Sequence, residues 1–123
     1  NKAELIKKTA DLVNDKKITM GDKVNFTVPT GNFGDILAGF YAKCMGLPVN
    51  RLICASNSNN VLTDFLKTGT YDRNREFFKT ISPSMDILIS SNLERLLYHI
   101  TNDATKVKSY MEKLQSKTIY TMF

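Results

Sequence analysis

A chain of 123 residues is one domain's length, enough to bury about two thirds of the surface its unfolded form exposes. Hydrophobic residues at 42% and charged residues at 24%, with 6 Gly and 3 Pro, exclude the disordered, collagenous and disulfide-dense classes. The net charge of +5 raises nucleic acid as a partner. The lysines, however, alternate with acids: Lys2, Lys7, Lys8, Lys16, Lys17 and Lys23 with Glu4, Asp11, Asp15 and Asp22, then Asp103 and Glu112 with Lys106, Lys108, Lys113 and Lys117. Such alternation describes solvated helix faces, so no nucleic-acid partner is expected. No apolar run approaches the ~20 residues of a membrane span, so no membrane association is expected either. The start, Asn1-Lys2-Ala3-Glu4, has neither an initiator Met nor a signal-peptide core, and reads as cut from a longer chain. Cys44 and Cys54 make no disulfide framework and suit a reducing, cytoplasmic setting. His99, the only histidine, has no Cys or His at ligand spacing, so no metal is expected.

Residues 2–14 place Leu5, Ile6, Ala10, Leu12 and Val13 on one side and lysines on the other, the period of a surface helix. Val24–Val28 reads as a strand stopped by Pro29. After Thr30-Gly31-Asn32-Phe33-Gly34, a helix runs from Asp35 to about Met45 and ends at Gly46, with Pro48 beyond. It is apolar nearly all round, which places it between a sheet and further structure. Gly39 in its middle costs about 1 kcal/mol of helix propensity, a cost usually explained by close packing on a strand. Arg51–Ala55 is a second strand whose apolar run suits a parallel neighbour covered on both faces. Strand, helix and strand make one right-handed βαβ unit.

Val61–Lys67 is a short helix stopped at Gly69. In the charged stretch 70–80, Phe77 and Phe78 are the expected buried pair, and a third short strand is expected near Phe77–Thr80. Ser82-Pro83 opens a long helix with Met85, Ile89, Leu93, Leu96, Leu97 and Ile100 on one stripe, and Asp103 starts the last helix, to about Gln115. Met20, Met45, Met85 and Met111 read as core filling. The expected fold is a single α/β domain over 1–123, a three-layer, Rossmann-like segment with a small, mostly parallel sheet and helices on both faces.

Chemistry concentrates in the turn between the first strand and its helix. Gly31 and Gly34 bracket Asn32-Phe33 and lead directly into a helix N-terminus, an arrangement of free backbone N–H groups that attracts phosphate. Thr30 or Asn32 can add side-chain hydrogen bonds. There is no Walker lysine with its Ser/Thr and no third glycine of a dinucleotide fingerprint. A tight connection that binds nothing explains Gly-x-x-Gly about as well. Asp35 complements the helix dipole while repelling an anion.

The run Phe26-Thr-Val-Pro-Thr-Gly-Asn-Phe-Gly-Asp35, continuing Ile-Leu-Ala-Gly-Phe-Tyr-Ala-Lys-Cys-Met-Gly-Leu-Pro48, closely resembles the threonine synthase family. So do Ser82-Pro-Ser-Met-Asp-Ile87 and Ser90-Ser-Asn-Leu-Glu-Arg-Leu-Leu97. The resemblance runs from about Val24 to Ile100, with Leu93 where the family usually has Phe. It implies a tryptophan-synthase-β-like fold, pyridoxal phosphate as cofactor, and conversion of the small-molecule substrate O-phosphohomoserine with water into threonine and phosphate. It implies further that Thr30, Gly31, Asn32, Phe33 and Gly34 cup the cofactor's 5′-phosphate.

The resemblance also places the Schiff-base lysine upstream of the loop, so no catalytic residue is expected within the chain, which would be an excised middle part of a larger enzyme and inactive alone. Lys43 lies nine residues past Gly34, about 13 Å along a helix. Ser82, Pro83 and Ser84 read as a helix cap somewhat more than as ligand contacts, Asp86 as a charge favouring that helix's positive end, Asn92, Glu94 and Arg95 as its polar side, and His99 as a helix-end residue. A non-enzymatic phosphate- or nucleotide-binding Rossmann-like module is the alternative, and a basic nucleic-acid-binding domain a weaker one. Apolar cut faces would favour self-association of the segment.

Overall fold

The computed structural model describes residues 2–116 and 119–121; Asn1 and Lys117, named above, lie outside them. The elements are α1 (Lys2–Asn14), β1 (Val24–Pro29), α2 (Gly34–Cys44), β2 (Val49–Ala55), α3 (Val61–Thr68), β3 (Thr70–Asp72), a 3-10 turn (Pro83–Met85), α4 (Leu93–Thr101), α5 (Ala104–Ser116) and β4 (Ile119–Thr121). They gather in two compact units, one of Asn1–Val28 with Gly34–Ala55 and the other of Pro29–Phe33 with Ser56–Phe123.

In the first unit β1 and β2 form a parallel pair joined by α2, the expected βαβ unit. Gly39 explains how α2 seats: a Cβ there would lie 2.9 Å from Leu52 Cδ2 and 3.3 Å from Leu5 Cδ1. The missing side chain therefore lets α2 press on β2 and α1 together, and packing offsets the propensity cost. The buried stripe of α2 is Ile36, Leu37, Gly39 and Ala42, narrower than the sequence suggests, and Cys44 and Met45 are exposed. Asn25 and Thr27 on β1 and Ile53 on β2 are exposed. Asn50 Nδ2 donates to Asn25 Oδ1 at 3.0 Å across the pair. Met20 is exposed too, so it and Met45 are not core fillers.

The second unit is built around Phe65, Tyr71, Leu93, Leu97 and Leu114, each at most 2% exposed. Gly69 ends α3 in the left-handed region, φ +72°, and its N–H reaches Phe65 O, a glycine C-cap of the expected kind. Asp103 Oδ1 accepts from the N–H groups of Thr105 and Lys106 at 2.9 and 3.0 Å, capping α5 where the sequence placed its start.

Three expectations fail here. The third strand is Thr70–Asp72, not Phe77–Thr80, and it pairs antiparallel with β4, apart from the parallel sheet. Tyr71 is the fully buried aromatic of that stretch, while Phe77 and Phe78 are 45% and 41% exposed. The long helix from Ser82 is likewise only a 3-10 turn, and helix resumes at Leu93. The cause lies in the backbone between them: the Tyr71 hydroxyl donates to Leu88 O at 2.8 Å and accepts from the Ser90 N–H at 3.1 Å. Groups committed sideways to a core phenol are lost to an i to i−4 ladder.

Burial pushes the Tyr71 phenol above its ordinary range, so it remains a donor at any physiological pH. Tyr71→Phe strands a carbonyl and the buried Ser90 N–H, and should lower unfolding stability by about 1–3 kcal/mol. Urea unfolding should show this as a lower midpoint with an unchanged slope.

Candidate functional site

The loop after β1 is held from three directions. Thr30 is buried at 4% exposure. Gly31 lies against the chain's own backbone: a Cβ there would sit 2.9 Å from Ser84 O and 3.0 Å from Met85 Cα. The first glycine of the motif is thus required by the 3-10 turn at Pro83–Met85, whose sequence had been singled out separately. Phe33 has φ +63°, a left-handed conformation that costs a non-glycine residue about 1–2 kcal/mol. Its ring is 5% exposed, and burying a Phe side chain returns about 1.5–3 kcal/mol, so packing can hold the strained backbone in place.

Asn32 joins the loop to the second motif. Its Oδ1 accepts from the Ser91 N–H at 2.6 Å and the Ser91 hydroxyl at 3.0 Å, and its main-chain carbonyl accepts from Asn92 Nδ2 at 2.9 Å. Asn92 occupies the N-cap position of α4 yet makes no side-chain cap bond. A cap usually contributes about 1 kcal/mol, and here that donor serves the loop instead. Among the described residues the N–H groups of Gly31, Asn32, Phe33 and Gly34 meet no acceptor. Gly31, Asn32 and Phe33 belong to the second unit, and Gly34 opens α2 in the first.

Asp86 organises the neighbouring segment and does not sit at a helix start. Its Oδ1 accepts from Asn57 Nδ2 at 2.8 Å, Asn59 Nδ2 at 3.0 Å and the Thr80 hydroxyl at 2.9 Å; its Oδ2 accepts from the Thr80 N–H at 2.8 Å. Asn59 also exchanges hydrogen bonds with the backbone of Phe78 at 2.8 and 3.0 Å. This knot shapes residues 78–86 in place of the expected strand and helix. The sequence reading missed Asn57, Asn59 and Thr80; the Ser56-Asn57-Ser58-Asn59-Asn60 cluster was the available signal, a run of amides able to satisfy loop backbone.

The remaining residues take simpler places. Ser82 stands before the 3-10 turn without a side-chain cap bond, and Ser82, Pro83 and Ser84 are exposed, so the capping expectation fails for Ser82. Glu94 and Arg95 are exposed on α4, and His99 lies in its last turn beside the Tyr98 ring. Lys43 donates to Asn50 O at 3.3 Å. Ser90 is 1% exposed and its hydroxyl has no partner among the described residues. Both cysteines are free thiols. Among the described residues no helix is long and apolar enough to cross a membrane.

Two predictions follow from this packing. Gly31→Ala puts a methyl group into the Ser84–Met85 backbone and should destabilise by about 1–3 kcal/mol, the usual range for overpacking, with the largest amide shifts at 82–86 by NMR. Hydrogen bonds from Thr80, Asn57 and Asn59 hold the Asp86 carboxyl below its ordinary 3.8, with the Thr80 N–H foremost. A depressed folded pKa stabilises above the unfolded value and loses that stability as pH falls through the folded one. Stability should therefore decline as pH drops from about 5 to below 3.8, and an acid titration of Asp86→Asn by thermal melting should show a shallower decline.

No protein-family model matches the chain. Threonine synthase-like 1 from Mus musculus is 60% identical over 93 residues, which is 75% of this chain and 12% of that protein. Threonine synthase from Saccharomyces cerevisiae is 57% identical over 81 residues, 66% of this chain and 16% of that protein. Among solved structures, PLP-bound threonine synthase from Brucella melitensis has a TM-score of 0.80 at 47% identity, covering 92% of this chain and 24% of that one. The chain therefore spans a small share of the relatives it matches, 12 to 24% of their length. At that identity and coverage, the chain belongs to the threonine synthase family.

Proposed function

We propose that this chain is part of an enzyme that converts O-phosphohomoserine and water into threonine and phosphate with pyridoxal phosphate, and that Thr30–Gly34 hold the cofactor's 5′-phosphate. The observation that carries the reading is the run of four backbone N–H groups, Gly31 to Gly34, without acceptors among the described residues. A run of successive backbone N–H groups at a helix start accepts an anion best. The donors fit a phosphate in number and kind. When bound, pyridoxal phosphate supplies the electron sink for removing a proton beside the substrate's amino group.

The chain's own residues then have separable tasks. The amides of Gly31–Gly34 bind phosphate oxygens, and the left-handed turn at Phe33 changes the direction of successive N–H groups so that they converge. Asn32 does not offer its side-chain oxygen, which Ser91 already engages. Asp35 in the first turn of α2 limits affinity by like charge. The lysine that bears the cofactor belongs, on this reading, to another part of the full enzyme; Lys43 is tied to β2 through Asn50. The segment alone is therefore inactive.

The full-length enzyme should form threonine and release phosphate from O-phosphohomoserine, and this chain alone should release none above a cofactor-only control. An NMR titration of the chain with inorganic phosphate at low salt should move the amides of Gly31 to Asp35, and Gly34→Val should abolish the response. If those amides stay still while others move, the loop is only a connection.

A further inference from the structure

The loop reading leaves Ser91 and Asn92 without a task, although both reach across almost sixty residues of sequence to one residue, Asn32. Resting on the proposal that this loop holds the cofactor phosphate, we infer that Ser91 and Asn92 are positioning residues that aim its N–H groups. A peptide group is planar and trans, so its C=O and N–H point in opposite directions, and no cis bond occurs among the described residues. Asn92 Nδ2, bonded to the Asn32 carbonyl at 2.9 Å, therefore fixes the plane that carries the Phe33 N–H and directs that donor away from itself.

The Ser91 bonds work on the side chain. With Oδ1 held by two donors at 2.6 and 3.0 Å, the amide of Asn32 cannot turn, and its Nδ2 faces away from Ser91, where it meets no acceptor among the described residues. Gly31 separately lies close against the backbone of Ser84 and Met85. The peptide plane between Asn32 and Phe33 is thus set before any anion arrives, and a preorganised donor set loses less freedom on binding. The forgone cap of α4 is the independent sign that Asn92 serves the loop, since a cap bond was the local use of its side chain.

The test uses the full-length protein stripped of cofactor and two probes with the same ring, pyridoxal phosphate and pyridoxal, titrated by absorbance and fluorescence. Asn92→Ser is the main variant, because serine is a good N-cap residue while its shorter side chain gives up the bond to Asn32; melting temperature should stay near that of the parent. Its affinity for pyridoxal phosphate should fall about tenfold, the scale of one lost charge-assisted contact network, with pyridoxal affinity unchanged. Ser91→Ala, which keeps the Ser91 N–H bond, should show the same selective loss at two- to threefold, and Asn92→Ala should match Asn92→Ser if the serine variant folds poorly. Equal weakening of both probes, or no weakening of either, overturns the positioning role. Failure of the underlying reading looks different: the parent protein would then bind pyridoxal phosphate no better than pyridoxal.

Discussion

The second unit depends on a place where two stretches of main chain touch with no side chain between them. Gly31 and the Ser84–Met85 peptide approach so closely that a single methyl would have to displace backbone. Backbone cannot rotate out of the way as a side chain can, so this contact sets the distance between the loop after β1 and the turn at Pro83–Met85. The other loop contacts in that unit, Asn32 with Ser91 and Asn92 among them, are compatible with that spacing. A glycine that looked like provision for a ligand is also provision for the chain itself.

Polar side chains carry much of the order in the long non-helical stretch of this unit. From Asp72 to Asn92 the chain has one turn of 3-10 helix, so many of its N–H and C=O groups have no ladder. Several of them are satisfied by Asn59, by the Asp86 carboxylate and by the Tyr71 hydroxyl. Such networks are expensive when incomplete and specific when complete. Here they substitute for the regular elements that the hydrophobic pattern alone predicts.

Strain and function meet at Phe33. Its left-handed backbone would be unfavourable in isolation, yet the ring beneath it is buried, and the Asn32 carbonyl just before it is held by Asn92. Burial and hydrogen bonding together keep a donor array whose N–H groups would otherwise turn to water or to nearby carbonyls. Packing and hydrogen bonds from distant parts of the sequence thus fix the loop's backbone.

Periodicity alone located α1, α2, α3 and α5, both strands of the parallel pair and the Asp103 and Gly69 caps, because each rests on interactions within a few residues or on one apolar stripe. Spacing alone marked the Gly31–Gly34 turn for attention, since Gly-x-x-Gly before a helix is a local statement about the backbone. Tertiary structure decided the rest. Tyr71, and not Phe77 or Phe78, became the core aromatic because its hydroxyl had Leu88 and Ser90 to bond, which no pattern in residues 70–80 reveals. The helical stripe from Met85 to Ile100 was interrupted because Tyr71 captured the Leu88 carbonyl and the Ser90 N–H. Asn92, read as polar surface, found its partner in Asn32, and bonds spanning that much chain exist only after folding has closed the loop, when the entropy of closure has already been met by the core.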